Sequence, residues 1–321
     1  MDFNLDETQQ DLKKLAAEVL AREGDDERFR QAGLMSVCVP EEAGGAGLGP
    51  VEMAVVLREV GARAAPVPAL ATLVSTLTLA RYGTPDQQRL ECALALREPG
   101  RGLAEPPLTA ARPDGDGWTL TGRKVSVLNP GAAVLVTAAE GLFLAGNVDS
   151  APEFTSTGEP AATIVLDGTP AERVAGPEGV AEARRLFTAG VAAQASGVLA
   201  GALELTTSYI KTRRQFGRAL AEFQAVTMQI ADVYIAGRAL DVAMWSGAWR
   251  LAEGLPAEED LALAAYHVGE AVKALYTCQH LHGGLGLDVT YPLHRYFAQA
   301  KHLSHLLGGA DAQLDLIGAL V

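Results

Sequence analysis

The 321-residue sequence predicts an α+β fold, mainly α, in which a small middle β-domain separates an N-terminal helical domain from a C-terminal four-helix bundle. Three observations carry this expectation. Apolar residues recur at helical spacing over the first hundred residues and again from residue 182 onward. Between about residues 100 and 172 the pattern changes to short β-rich runs broken by Gly, Pro and Asp clusters. Alanine and glycine are abundant while aromatics make up only 6%, so much of the packing must be close helix on helix. The boundaries implied are 1–99, 100–175 and 176–321.

Leu5, Leu12, Leu15, Ala16, Val19 and Leu20 set the first helix, over 5–23, with Gly24 to close it. A second helical stretch runs from Asp26 to Gln31. The turn Gly44-Gly45-Ala46-Gly47-Leu48-Gly49 follows Val39-Pro40-Glu41-Glu42, and Pro50 is placed as the first residue of a helix reaching Gly61. Residues 69–82 and 85–97 read as two further helices, which makes the first hundred residues all-helical. After Glu98-Pro99-Gly100 come the strand candidates Trp118 to Thr121, Val125 to Leu128, Ala133 to Ala138, Leu142 to Ala145 and Ala162 to Leu166. They suggest a small antiparallel domain. Segments 182–212, 222–252, 258–281 and 293–307 then form the four bundle helices, with Gly254-Leu255-Pro256 closing the second.

A net charge of -13 supplies no basic footprint, which argues against nucleic acid as a partner. It does not exclude an anionic ligand, because a local Arg cluster can hold phosphates on an acidic protein. Cys38, Cys92 and Cys278 are too far apart in sequence for a disulfide framework or a metal cluster, and read as reduced, buried thiols. His302 and His305 are spaced for one helical face, but no third ligand supports them and no metal is expected. The polar N-terminus and the lack of a run approaching the ~18 apolar residues of a membrane span lead us to expect a cytoplasmic protein with no membrane partner.

The segment Arg213-Arg214-Gln215-Phe216-Gly217 lies between two long helices. It offers planar cations, an amide and a ring, groups that suit a dinucleotide pyrophosphate and adenosine. A plain helix end with two arginines against the dipole is the competing reading. Gly283-Gly284-Leu285-Gly286 follows a helical pattern and not a strand, so it is not a dinucleotide fingerprint; a helix C-cap stays open for it.

Taken together, the segments strongly resemble the acyl-CoA dehydrogenase family. The resemblance rests on Tyr209 to Gly217 with Phe223-Gln224 and Ala231-Asp232, and on the Gly44 to Gly49 loop. It rests also on Ala104-Glu105-Pro106 as the Thr-Glu-Pro that opens the β-domain, on Gly122-Arg123-Lys124 with Asn129, and on His282 to Gly286 with Tyr291-Pro292. It implies an oxidoreductase of lipid metabolism, a flavoprotein that uses FAD to desaturate an acyl-CoA thioester and passes electrons to an electron-transfer acceptor. Arg213, Gln215, Phe216, Gly283 and Gly284 are the implied cofactor contacts, made across a subunit boundary.

The same resemblance exposes departures. The glutamate that removes the α-proton is expected at Gly308 or, in other members, at Phe187, and neither residue can act as a base. Asp311 and Glu182 are the nearby carboxylates, with Asp311 the weak fallback. The groups expected around Thr-Glu-Pro fall on Ala104, Pro107, Ala110 and Ala111, and the pair bracketing the flavin ring on Ser126 and Leu128. Ring contacts are thus weakened while in-trans contacts are kept. This suggests a degenerate subunit of a hetero-oligomer that completes a homologous partner's FAD site, with a homo-oligomer as the other arrangement. A self-sufficient oxidase or monooxygenase on the same fold, or a flavin-free structural subunit, are the alternatives.

Overall fold

The computed structural model describes residues 3–21 and 26–320; Gly24, expected to close the first helix, lies outside them. Helix α1 (Glu7–Leu20) starts at a capping box. Asp6 Oδ1 accepts from the Gln9 amide at 2.8 Å, and Gln9 Oε1 accepts from the Asp6 amide at 3.1 Å. Helices α2 (Asp26–Gln31), α3 (Pro50–Ala62) and α4 (Ala69–Tyr82) stand where the periodicity puts them.

The helix expected over 85–97 does not form. A single 3-10 turn, Gln87–Arg89, leads into strand β1 (Ala93–Ala95). The reason is the buried run from Cys92 to Leu96: five consecutive apolar residues carry no period that separates helix from strand. Here the run pairs in parallel with a later strand, Ala93 opposite Val134. The first hundred residues are therefore not all-helical.

Strands β2 (Ala110–Asp114), β3 (Gly117–Leu128), β4 (Ala133–Ala138), β5 (Gly141–Gly146), β6 (Asp149–Phe154) and β7 (Pro160–Ala175) complete the sheet in the order β1-β4-β5-β7-β3-β2, with β6 on β7. All pairs but β1–β4 are antiparallel. The two strand candidates Trp118 to Thr121 and Val125 to Leu128 are one strand, interrupted by a bulge between Lys124 and Val127 at which Ser126 has φ +52°. Strand β6 is exposed at every residue, so no burial period could announce it.

Helix α5 (Pro177–Thr212), a short hairpin of β8 (Arg214–Gln215) and β9 (Arg218–Ala219), then α6 (Gln224–Ala252), α7 (Glu258–His282) and α8 (Leu293–Leu306) supply the bundle. A further helix, α9 (Gly309–Leu320), follows where no element was expected. Helix α5 corrects the reading that no segment approaches a membrane span. By length and composition it could cross one, yet 83% of its most apolar window is buried inside the protein, as in a core helix.

The chain divides into two compact units, Met1–Gly24 with Ala54–Ala65 and Val191–Val321, and Asp25–Met53 with Pro66–Gly190. In the first, α3 and α5 cross at glycines. A Cβ on Gly61 would fall 2.0 Å from Gln194 O, and one on Gly197 1.9 Å from Arg58 O. That approach is the close helix packing the Ala- and Gly-rich composition implied. Arg58 Nε reaches Asp241 Oδ1 at 3.2 Å and Ser196 Oγ at 3.1 Å, tying α6 to the same crossing. In the second unit the sheet core is Leu120, Val127, Val134, Val136, Phe143 and Ile164, with Trp118 packed against Phe143.

Candidate functional site

The corner between α5 and α6 is a two-residue β-hairpin. Arg214 pairs with Ala219 and Gln215 with Arg218, and the Leu220 amide donates to Arg213 O at 2.9 Å. Phe216 and Gly217 form the loop with φ +51° and +82°, the sign pattern of a type I′ turn. Asn-Gly or Gly-Gly is the usual choice there, because a bulky side chain is strained at positive φ. Phe216 is nevertheless 91% exposed, so its own unit does not compensate the strain by burying the ring. Its nearest aromatic is Phe223, at 6.4 Å edge to face. Arg218 is occupied, its guanidinium 3.9 Å over the Phe223 ring. Arg213, Arg214 and Gln215 are exposed, and neither arginine has an acidic partner among the described residues.

The glycine loop lies at the same end of the bundle. Tyr209, one turn before Arg213 and linked to it by the Arg213 amide at 2.8 Å, stacks on His282 with centroids 4.3 Å apart and 18° between planes. His282 directly precedes Gly283 and Gly284, which are exposed and whose α-carbons face open space. The chemistry of its partners fixes the His282 tautomer. Nδ1 lies 2.8 Å from Cys278 O, which can only accept, so Nδ1 carries the proton; Nε2 then accepts from the Tyr291 hydroxyl at 3.2 Å. Burial pushes this imidazole below its ordinary pKa, which keeps it neutral. Gln279 Nε2 donates to Gly286 O at 3.3 Å and closes the loop. In the sequence His282 stands only as the first residue of the glycine motif; its part in shaping the loop comes from Tyr209 and Tyr291, which folding brings to it.

The structure thus brings the two expected cofactor segments together. The fit of a dinucleotide to them can be tested on their free groups. Two unpaired guanidinium ions suit a pyrophosphate, an outward ring suits adenine, and side-chain-free backbone at Gly283 and Gly284 permits close approach. The residues fit the adenosine end of FAD.

Of the two expected base positions, Gly308 is an exposed residue with φ +87° at the end of α8, and Asp311 is exposed in the first turn of α9. Phe187 is buried, and with Ser126 and Leu128 it lines a narrow recess of about 10 Å³, room for roughly one water molecule. Ala71, Leu94, Leu96 and Arg97 complete the lining. The expected ring-bracketing positions and one expected base position therefore do meet, in a recess whose lining contains no carboxylate. Glu182 is engaged elsewhere, paired with Arg81 and, at 3.1 Å, with Arg185.

The segment that opens the sheet is not Ala104-Glu105-Pro106. Strand β1 precedes it, and Arg97-Glu98-Pro99 leads out of that strand. Glu105 lies half-exposed in a turn, its carboxylate on the Gly102 amide at 2.7 Å and on Arg101 at 2.8 Å. Glu98 is buried and fully used. It accepts from Lys124 Nζ at 2.7 Å, from Thr109 Oγ1 at 2.6 Å, and from the Leu108 and Thr109 amides at 2.6 and 3.0 Å. Lys124, with no exposed surface, also donates to Thr137 Oγ1 at 3.0 Å. These hydrogen bonds outweigh burial and hold the Glu98 carboxyl at about 2, while burial pulls Lys124 down to about 8 against the opposing pull of Glu98. The expected Gly122-Arg123-Lys124 segment gains its reason here. A Cβ on Gly122 would sit 2.6 Å from Thr109 Oγ1, so only glycine lets Thr109 reach Glu98. Among the described residues no group of three or more His, Cys, Asp or Glu could hold a metal ion; His302 and His305 both lie on α8.

Comparison with known proteins supports this reading of the fold. The profile "Acyl-CoA dehydrogenase, N-terminal domain" matches residues 6–90, and "Acyl-CoA dehydrogenase, C-terminal domain" matches residues 184–321. Acyl-CoA dehydrogenase FadE28 of Mycobacterium tuberculosis is 38% identical, with 99% of this chain and 98% of the relative covered. The chain belongs to the acyl-CoA dehydrogenase family. It is accordingly a member of a family of flavoprotein oxidoreductases acting on CH–CH groups. Acyl-CoA dehydrogenase FadE27 of the same organism is 32% identical over 99% of this chain and 98% of that relative. Among solved structures, the ChsE4-ChsE5 complex from Mycobacterium tuberculosis superposes with a TM-score of 0.91 at 32% identity, covering 99% of this chain and 98% of the matched one. A variant of the Tcur3481-Tcur3483 steroid ACAD also reaches 0.91, at 36% identity over 98% and 97%. The α+β acyl-CoA dehydrogenase fold, with its central sheet and C-terminal helices, is thus established for this chain.

Proposed function

We propose that this chain is the supporting half of a heteromeric acyl-CoA dehydrogenase, completing in trans the FAD site of a homologous subunit that supplies the catalytic glutamate. The observation that carries the proposal is the Phe216-Gly217 hairpin tip. It presents an exposed aromatic at positive φ, beside two unpaired arginines, at the bundle end that also carries Gly283 and Gly284. Support for a paired assembly comes from the solved relatives, one of them a complex of two named components. The name of the other makes a steroid-bearing acyl-CoA thioester the substrate we favour. In this reading 1–99, 100–175 and 176–321 act as the three lobes of a cytoplasmic subunit, and the electrons pass to an electron-transfer acceptor.

FAD, when bound, supplies the hydride acceptor for the β-carbon. This chain's residues bind and orient. Arg213 neutralises the pyrophosphate, with Arg214 adding charge beside it. Phe216 covers the adenine, Gln215 offers an amide to its edge, and Gly283 and Gly284 let backbone approach. Neutral His282, stacked on Tyr209 and bonded to Tyr291, holds the glycine loop against the base of the hairpin. Removal of the α-proton falls to the partner, because Gly308 and Phe187 carry no acid–base group here.

The test is flavin absorbance of the chain produced alone and together with a homologous subunit encoded beside it. Stoichiometric flavin only in the pair is expected. Arg213→Ala should lower the pair's flavin affinity by at least about ten-fold, as loss of a charged hydrogen bond does. Flavin bound by the lone chain and bleached by a thioester would instead identify a self-sufficient enzyme. A pair as colourless as the single chain would identify a structural subunit.

A further inference from the structure

Helix α6 carries two apolar faces, and its own chain covers only one of them. Val233, Leu240, Met244, Gly247 and Leu251 belong to the buried face. On the other side Met228, Ala231, Ile235, Val242, Trp245 and Trp249 recur at alternating intervals of three and four residues, with Arg238 filling the one gap. Met228 is 61% exposed, Ile235 63% and Val242 48%, and the two tryptophans are half-buried. Among residues 224–239 only Val233 is buried, although Asp232 and Arg238 are the only charged residues there. A helix apolar on opposite sides is built to be packed between two neighbours.

An alternation of three and four is the seam along which another helix packs at a shallow angle. From Met228 to Trp249 this seam extends about 30 Å. It begins just past Phe223, whose ring meets Phe216 of the hairpin edge to face, so a subunit that takes the hairpin tip lies along this face. Arg238 stands at the middle of the seam with its side chain 59% exposed. Inside the chain it reaches Asp241 Oδ2 at 3.3 Å, an oxygen that Arg58 also reaches at 3.3 Å, while Ser196 and Arg58 donate to Oδ1. Either two-fold pairing of the seam with a second copy sets Arg238 beside its own image. In the parallel form every residue meets itself, and in the fully overlapped antiparallel form the axis passes midway between Met228 and Trp249, at Arg238. Like charges at that point, on a chain of net charge -13, oppose self-association.

We propose that the outward seam of α6 docks a helix of the homologous, non-identical subunit, and that Arg238 selects this partner over a second copy by calling for a carboxylate at the centre of the facing helix. The partner is the subunit of the proposed function, on which this assignment rests. A membrane surface or a flexible peptide would not need a straight seam with one cation at its centre.

Sedimentation velocity reads the mass of the full chain alone and co-produced with the homologous subunit encoded beside it. The lone wild type is expected as a monomer. Ile235→Glu should weaken the pair at least about ten-fold, because it buries an unpaired carboxylate. Arg238→Leu should turn the lone chain into a dimer and weaken the pair, whose facing carboxylate loses its counter-ion. The exposed control Phe154→Glu should change neither state. Met228→Cys supplies a second readout: Cys38, Cys92 and Cys278 are buried, so a maleimide should label the new thiol in the lone chain and be slowed in the pair. A wild type that dimerises by itself, and loses the dimer with Ile235→Glu, would make a second copy the occupant and overturn the proposal. So would a pair undiminished by Ile235→Glu, equal labelling in both states, or a lone Arg238→Leu that stays monomeric. Failure of the in-trans reading is seen separately, as unchanged flavin affinity in a pair of full mass carrying Arg213→Ala.

Discussion

The Phe216 hairpin and the Glu98–Lys124 cluster both carry charge, and they treat it in opposite ways. At Glu98 each donor meets an acceptor within the same unit, the ions are buried, and a glycine is placed so that Thr109 can close the set. At the hairpin the cations are exposed and unpaired, and an aromatic is held in a strained conformation with nothing of its own unit over it. Interactions that serve folding are completed internally; groups left incomplete at a conformational cost are the ones set aside for something else.

The largest separation of the two regions should come from single truncations. Lys124→Met leaves Glu98 buried without its counter-ion and should cost about 3–5 kcal/mol in urea unfolding, while Arg213→Ala should leave the unfolding midpoint in place. If both were equally destabilising, the distinction drawn here would fail. A smaller effect with opposite signs is expected at the hairpin tip. Phe216→Gly removes positive-φ strain and should hold or raise stability by up to about 1 kcal/mol, yet it should weaken flavin binding by the assembled pair. Lower stability together with unchanged flavin affinity would return Phe216 to a packing role.

The acid limb of stability sharpens the comparison further. The Glu98 carboxyl is held at about 2, against an ordinary 4.5. Its contribution is whole above the ordinary value and is lost as pH falls toward 2. Lys124→Met should flatten the unfolding free energy between those limits, and Arg213→Ala should not. The smallest effect concerns His282. With a folded pKa below 6.5, the unfolded chain takes up the proton first, so acidification through 6.5 costs stability. Nitrogen chemical shifts should report a neutral ring protonated on Nδ1 at pH 7; a charged ring would remove its assigned role in the loop.

Most of the helical scaffold was legible in the sequence, because long apolar periods and terminal signals such as Pro50 and Gly254 are local. The make-up of the candidate corner was legible as two short local segments, Arg213 to Phe216 and Gly283-Gly284, and the structure places both at one bundle end. Strand β1 was not, since five apolar residues have no period and their partner β4 begins some forty residues later. Arg97 was hidden for the same reason, absorbed into a helix that does not form. The mismatch of Ala104-Glu105-Pro106 with Arg97-Glu98-Pro99 followed from it: two Glu-Pro steps look alike until burial separates them.

By itself the sequence determined which segments are helices, that small residues would let those helices approach closely, and that its arginine-rich corner had chemistry to offer. Tertiary structure decided which glutamate is buried, which histidine shapes the glycine loop and which arginine lacks a partner. The physical reason is range. Helical period and turn chemistry act over a few residues, whereas desolvation and ion pairing depend on groups that only folding brings together, as Glu98 meets Lys124 across the sheet and Tyr209 meets His282 across the bundle.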